Sequence, residues 1–398
     1  MKNKLMLLMV LAVLFAITNC QNDNTTDLKE NDGDNLVLTD VQNGEPIEGQ
    51  YIVVLNESSV KSTNQGSYDE RIAEVKAFAN SMFQTKSGSE FEVGLAFATV
   101  IKGFSVKTTT DFVEALKSDS RVKYLEQDKI IALKKPGTVP TTEPDSEVIP
   151  WGISRVGYGS GVGKTAWIID SGIDLNHPDL NVDVARSSDF TGSRVGAEDE
   201  NGHGTHCAGT VGAIDNEIGV VGVAAGANLV AVRVLDRRGS GSTSGVIAGV
   251  DYVASAASPG DAANMSLGGG ISIALDDAVY AASQNGIYFA LAAGNESDDA
   301  NNHSPARVNG TYIWTISAMD INDDFAYFSN YGNPPVDFCE PGVSIYSTWK
   351  GDAYNTISGT SMAAPHMCGI LLMTNGNPVT DGFVNGDPDG DADPIGGI

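Results

Sequence analysis

Five stretches of the chain are mainly apolar: residues 166–169, 229–235, 263–267, 287–291 and 313–317. Runs of this kind predict strands buried on both faces, as in a parallel sheet. Between and after them lie longer amphipathic or apolar stretches that predict helices over 204–214, 244–257, 272–284 and 362–373. Strand and helix alternate, so residues 150–398 read as an α/β domain with a largely parallel sheet flanked by helices. Reactive groups in such folds gather at the carboxyl ends of strands.

The upstream pattern is different. Tyr51–Leu55 predicts a strand. Tyr68–Gln84 predicts a helix with Ile72, Val75, Ala79, Met82 and Phe83 on one face. Two further strands are expected over Phe91–Ala98 and Gly103–Lys107, a helix over Thr110–Ser118 with Thr110 as its N-cap, and a last strand over Val122–Ile131. The order βαββαβ is that of a small α+β, ferredoxin-like domain over 49–133. Residues 134–149, with Pro136, Pro140 and Pro144, predict an extended linker where a precursor would be cut. Residues 21–48 are polar, lack an apolar period and are expected to be a disordered tether.

Residues 1–20 read as a signal peptide: Lys2 and Lys4 precede an apolar run, Leu5–Ile17, too short to span a bilayer. Ile17-Thr18-Asn19-Cys20 resembles a bacterial lipoprotein cleavage box, which implies lipidation of Cys20, a lipid anchor on the precursor, and a secreted or envelope-associated product. An ordinary secretory peptide is the alternative.

The net charge of −27 disfavours a nucleic-acid partner, whose phosphates need a basic surface. A hydrophobic content of 41% describes a globular chain. The four cysteines, Cys20, Cys207, Cys339 and Cys368, form no CxxC pair, so a zinc site is not expected; Cys339 and Cys368 could pair. A monomer is expected.

Four residues carry candidate chemistry. Ser361 lies in Gly359-Thr360-Ser361-Met362-Ala363-Ala364-Pro365-His366, just ahead of an apolar helix whose N-terminal amides and dipole would face a reacting centre. Small neighbours would let a peptide backbone approach. A serine needs a base to become a nucleophile. His203, in Asn201-Gly202-His203-Gly204-Thr205-His206-Cys207, titrates near neutrality and could serve. Metal binding by His203 and His206 would need a third ligand, and none is near in sequence. Asp170 ends the run 166–169 and could hold the imidazole rigidly, away from water. Asn295, just after 287–291, could donate its amide to an oxyanion. Each alone could be a turn or cap.

Taken together and in this order, the motifs resemble those of the subtilisin-like serine proteases, with "HGTHCAG" and "VLDRRGSGSTSGVIAGVDYV" similar to the proteinase K-like branch. The resemblance implies a secreted serine endopeptidase acting through an acyl-enzyme, with Asp170, His203 and Ser361 as the triad and Asn295 as oxyanion donor. "YIVVLNE", "IKGFSVK" and "VKYLEQDKII" resemble the family's propeptide inhibitor domain, which implies a zymogen whose own propeptide is an intramolecular inhibitor. Gly239-Ser240-Gly241 and Ser266-Leu267-Gly268 match the segments that bind protein or peptide substrates as an added strand, a main-chain contact that implies broad specificity. Structural calcium is expected by the same resemblance, with Asp337 as a ligand. The acidic stretch 387–393 lacks the glutamate of an EF-hand loop and reads as a solvated end. Cys207, one turn from His203, is expected to be a free buried thiol. The competing readings are a catalytically silent peptide-binding protein of the same fold, disfavoured because all four residues are present, and a processing enzyme of narrow specificity.

Overall fold

The computed structural model describes residues 43–60, 66–83, 91–133, 144 and 146–398. The leader, Cys20, most of the tether and most of the linker lie outside the described residues.

The N-terminal domain has the expected order: β1 (Pro46–Leu55), α1 (Tyr68–Phe83), β2 (Phe91–Phe97), β3 (Gly103–Thr108), α2 (Thr110–Lys117) and β4 (Val122–Ala132). Its antiparallel sheet runs β4-β1-β3-β2. Val75, Ala79, Met82 and Phe83 of α1 are buried against Phe104 and Val106 of β3, which is why one face of that helix is apolar. Two expectations are corrected here. Thr109, not Thr110, is the N-cap of α2. The tether ends before residue 43 rather than at 48, because Gly44 N donates to Ile130 O at 2.8 Å, Ile130 N donates to Glu45 O, and Pro46 pairs with Lys129.

The second domain is built on a nine-stranded sheet. Its order is Val379–Phe383, Pro394–Gly397, Val336–Pro341, Ile313–Met319, Tyr288–Ala292, Ala262–Met265, Thr165–Asp170, Asn228–Arg233 and Ser188–Asp189. All neighbours are parallel except the Val379–Phe383 edge. The interior strand Thr165–Asp170 is buried throughout, matching its apolar run. Helices His203–Gly212 and Thr360–Thr374 contribute to the core that includes Ile168 and Ala290. Helices Thr243–Ala256 and Ile273–Ser283 contribute to the core that includes Trp167 and Ile169.

That second core also takes in Ile52, Val54, Phe97 and Ile131 of the N-terminal domain. The two domains therefore share buried apolar surface. Carboxylates fix the joint. Asp128 accepts from Ser244 N at 3.0 Å and Glu126 from Ile273 N at 3.0 Å, so each reaches the first turn of a catalytic-domain helix. Those helices also have their own N-caps: Ser242 Oγ accepts from Gly245 N, and Ser272 Oγ from Leu275 N. In the other direction, Asp251 accepts from the main-chain N–H groups of Ala98, Thr99 and Val100 at 3.0, 2.7 and 2.8 Å.

Two more expectations change. The linker joins the second domain earlier than residue 150: Val148 N donates to Gly219 O at 2.8 Å and Glu147 Oε1 accepts from Asn216 N. The acidic stretch is not simply a solvated end. Pro394–Gly397 is a strand of the main sheet, and Asp393, 1% exposed, accepts from Ser317 Oγ; burial pushes it to about 7. Asp387 and Asp389 accept from main-chain N–H groups of their own loop, and Asn333 Nδ2 donates to Asp391 O.

Candidate active site

Asp170 ends the strand Thr165–Asp170 and is fully buried. Its carboxylate accepts from Ser171 N at 2.7 Å and faces His203 Nδ1 at 2.9 and 3.0 Å. His203 opens its helix, entered through Gly202 in the left-handed region at φ 113°, where a Cβ would lie 2.2 Å from the Trp349 ring. At Gly204 a Cβ would lie 2.1 Å from Gly172 O, so only glycine lets the helix start this close to the strand end.

Asp199 ties strand and helix together, and sequence reasoning missed it. It accepts from Ser171 Oγ, Asn201 N, Gly202 N, Thr205 N and Thr205 Oγ1 at 2.6–3.0 Å. Its position just before Asn201-Gly202 is a capping pattern that could have pointed to it. Burial disfavours protonated His203, but the Asp170 carboxylate outweighs this and the imidazole is raised well above 6.5. His206 is pushed down to about 3 and His366 to about 4, chiefly by burial, so both are neutral packing groups.

Ser361 is the second residue of its helix and is 8% exposed. Its hydroxyl donates to Ser266 O at 3.1 Å. Asn295 follows the strand Tyr288–Ala292. Its Oδ1 accepts from Thr360 N at 2.8 Å, while Thr360 Oγ1 accepts from Gly294 N, so the carboxamide is oriented by the same helix start that carries Ser361. Cys207 is buried and free, with Sγ 3.9 Å from His203 Nδ1 and 3.4 Å from Ser361 O; Cys339 and Cys368 are also free thiols and do not pair.

His203, Asn295 and Ser361 line one cleft of about 680 Å³, together with Ser266, Leu267 and Gly268. The N-terminal domain reaches into it. β4 pairs antiparallel with Ser240–Ser242 (Ala132 opposite Ser240, Ile131 opposite Gly241), and Leu133 N donates to Gly239 O at 2.9 Å. The facing segment is bridged by a residue that sequence reasoning missed. Asn43 Nδ2 donates to Gly268 O at 2.9 Å while its Oδ1 accepts from Ala132 N at 3.0 Å. No local pattern signals Asn43, because its partners are far away in sequence. Asp337 accepts from Thr315 N, and burial pushes it to about 6.

A serine, a carboxylate-oriented histidine and a carboxamide at one cleft, crossed by an extended strand, define the equipment of a serine hydrolase of peptide bonds. Residues 163–378 match the model of the Subtilase family, and residues 50–134 match that of Peptidase inhibitor I9. The chain belongs to the subtilase family and carries an I9 prodomain. It is 40% identical to alkaline serine exoprotease A of Vibrio alginolyticus over 82% of this chain, and spans 60% of that protein's length. It is 42% identical to a subtilisin-like serine protease of Sarocladium strictum, covering 69% of this chain and 71% of that one. A crystal structure of a cold-adapted subtilisin-like serine proteinase matches with a TM-score of 0.51 and 45% identity, over 56% of this chain and 84% of the other.

Proposed function

We propose that the chain is the zymogen of a secreted serine endopeptidase. The observation that carries this reading is the buried Asp170–His203 pair opening onto the cleft of Ser361 and Asn295, with the chain's own β4 laid along that cleft. His203 takes the proton of Ser361 as its oxygen attacks the scissile carbonyl. Asp170 holds the imidazole by Nδ1 and stabilises the imidazolium. Asn295 and the Ser361 main-chain N–H receive the oxyanion. His203 then protonates the leaving amine, and water releases the acyl-enzyme. Gly239-Ser240-Gly241 and Ser266-Leu267-Gly268 hold the substrate by its main chain, so many sequences can be accepted. The test is labelling of the matured protein by a fluorophosphonate. Label on Ser361 is expected; an active protein labelled elsewhere sinks the assignment.

Two finer readings belong with it. Asp337 is a part-buried carboxylate that, among the described residues, has no ion-pair partner, and this fits a residue holding a calcium ion together with main-chain carbonyls. The calcium would supply rigidity only. A lipid on Cys20 would tether the precursor, and cutting the linker would free the catalytic domain. Finding the processed catalytic domain still in the membrane fraction, free of prodomain, counts against that.

A further inference from the structure

Residues 43–46 precede the segment, 50–134, that matches the inhibitor family, yet they already touch the cleft. Gly44 N donates to Ile130 O at 2.8 Å, Ile130 N donates to Glu45 O at 2.8 Å, and Pro46 pairs with Lys129. These residues therefore run antiparallel along one edge of β4, while Ser240–Ser242 lies along the other. At the end of β4 a side chain takes over from the main chain. Asn43 Oδ1 accepts from Ala132 N at 3.0 Å, and Asn43 Nδ2 donates to Gly268 O at 2.9 Å. One carboxamide thus accepts on one side and donates on the other, as a peptide unit does between two strands. It stands between β4 and the Ser266–Gly268 wall.

A second observation is the closeness of the fit. Gly44 has φ +85°, and a Cβ on it would lie 3.3 Å from Gly270 N. A Cβ on Gly269 would lie 3.2 Å from Asn43 Oδ1 and 3.6 Å from Ile131 Cγ1. Residues without side chains on both sides let the two backbones come together. The wall does not yield from behind, because Gly269–Gly270 pairs antiparallel with His303–Ser304. Asn43 lines the same cleft as His203 and Ser361, and it stands at the exposed rim of that cleft.

We propose that residues 43–46 are a second arm of the inhibitor, a strap in which the Asn43 carboxamide occupies the main-chain acceptor at Gly268 and pins the end of β4 in the cleft. β4 covers the Ser240–Ser242 wall, and the strap covers the facing one. Substrate reaches the main-chain groups of both walls only after both arms have let go. Asn43 touches neither the nucleophile nor the base, so it is a positioning residue for the inhibitory strand. This rests on the peptidase reading and concerns how that same cleft is held shut. No covalent bond changes in the step: two hydrogen bonds of Asn43 are exchanged for bonds to water or to substrate.

The test uses the full chain, diluted into a fluorogenic peptide so that departure of the prodomain shows as a lag before the final rate. Asn43→Ala removes both bonds and is expected to shorten the lag by about tenfold. The final rate should stay the same, because residue 43 departs with the prodomain. Asn43→Asp keeps an acceptor for Ala132 N but sets a carboxylate against the Gly268 carbonyl, so its lag should be as short as that of Asn43→Ala. Asn43→Gln keeps the carboxamide at an exposed position and should keep most of the wild-type lag. A merely structural role would lower the final rate through lost folded protein and would not separate Gln from Asp. A wild-type lag in Asn43→Ala or Asn43→Asp, or a lower final rate with the lag unmoved, overturns the strap while leaving the peptidase intact. A wild-type chain that never gains activity overturns the peptidase reading, and this one with it.

Discussion

Ser361 and Ser266 hold each other twice. The Ser361 hydroxyl donates to the Ser266 carbonyl at 3.1 Å, and the Ser266 hydroxyl donates to the Ser361 carbonyl at 2.7 Å. The second bond fixes the backbone of the nucleophile. The first parks its hydroxyl on the wall of the cleft, where β4 also lies, so the hydroxyl must turn toward His203 before it can react. Bonds of this kind often tighten only when substrate is bound.

Ser361→Ala is therefore expected to remove activity and leave the precursor as one chain, read by gel and by casein hydrolysis. For subtilisin itself, loss of the nucleophile costs about 10⁶-fold in kcat, and loss of the carboxamide donor about 10²–10³-fold. Asn295→Ala should fall in the second range with KM little changed. A casein rate equal to wild type in either variant would remove that residue from the mechanism.

The pH profile follows from the Asp170–His203 pair. The carboxylate raises the imidazole above its ordinary 6.5 despite burial, and only the neutral form can act as base. kcat/KM should climb as pH rises through that raised value. Stability runs the opposite way: the pair's contribution is full below about 6.5, the ordinary histidine value, and is lost as pH passes the folded one. Asp170→Asn should move the limb to lower pH and cost about 10⁴-fold in kcat. A wild-type limb at or below 6.5 would contradict this.

Asp251→Ala should loosen the prodomain. It leaves the amides of Ala98, Thr99 and Val100 without their acceptor at a buried joint. The expected loss is about 3 kcal/mol, roughly a hundredfold in prodomain affinity. The measurement is the lag before activity appears when the full chain refolds, which should shorten. An unchanged lag, with the same amount of folded protein, would show that Asp251 does not hold the prodomain.

Cys207 gives a chemical handle. A mercurial placed on its sulfur would crowd both His203 and the Ser361 carbonyl, so slow modification should track loss of activity. Cys207→Ala should keep activity within about tenfold and lose the sensitivity. Full activity in a stoichiometrically mercurated protein would contradict the geometry's importance.

For calcium, adding chelator should lower the thermal midpoint of the mature protein by several degrees, about 1–2 kcal/mol. Asp337→Ala should show a low midpoint that calcium no longer moves. A chelator-insensitive midpoint in wild type would remove the ion from Asp337.

The sheet and the places of the four candidate residues were legible because buried parallel strands are mainly apolar, and each candidate sits where such a run or helix begins or ends. Ser361, His203, Asp170 and Asn295 are all of this kind. Asn43, Asp199 and Asp251 were not, because an acceptor or carboxamide in a polar stretch looks the same whether it faces water or a partner far along the chain; Asn43 and Gly268 are 225 residues apart. The Val379–Phe383 and Pro394–Gly397 strands were also missed. They are short, and the first is exposed along its whole length, so neither shows a period.

The helix starts at Ser242 and Ser272 have two sets of partners, one from the catalytic domain and one from Asp128 and Glu126. When the prodomain departs, each helix keeps its own hydroxyl cap and gives up one amide and one hydroxyl contact to the departing carboxylates. The finished domain thus has little reason to unravel. An unfolded mature chain, however, has lost the mould that brought those two helices to the same surface. Maturation on this plan is a one-way passage: it yields a molecule that keeps its shape by not unfolding, with no template left to find that shape again.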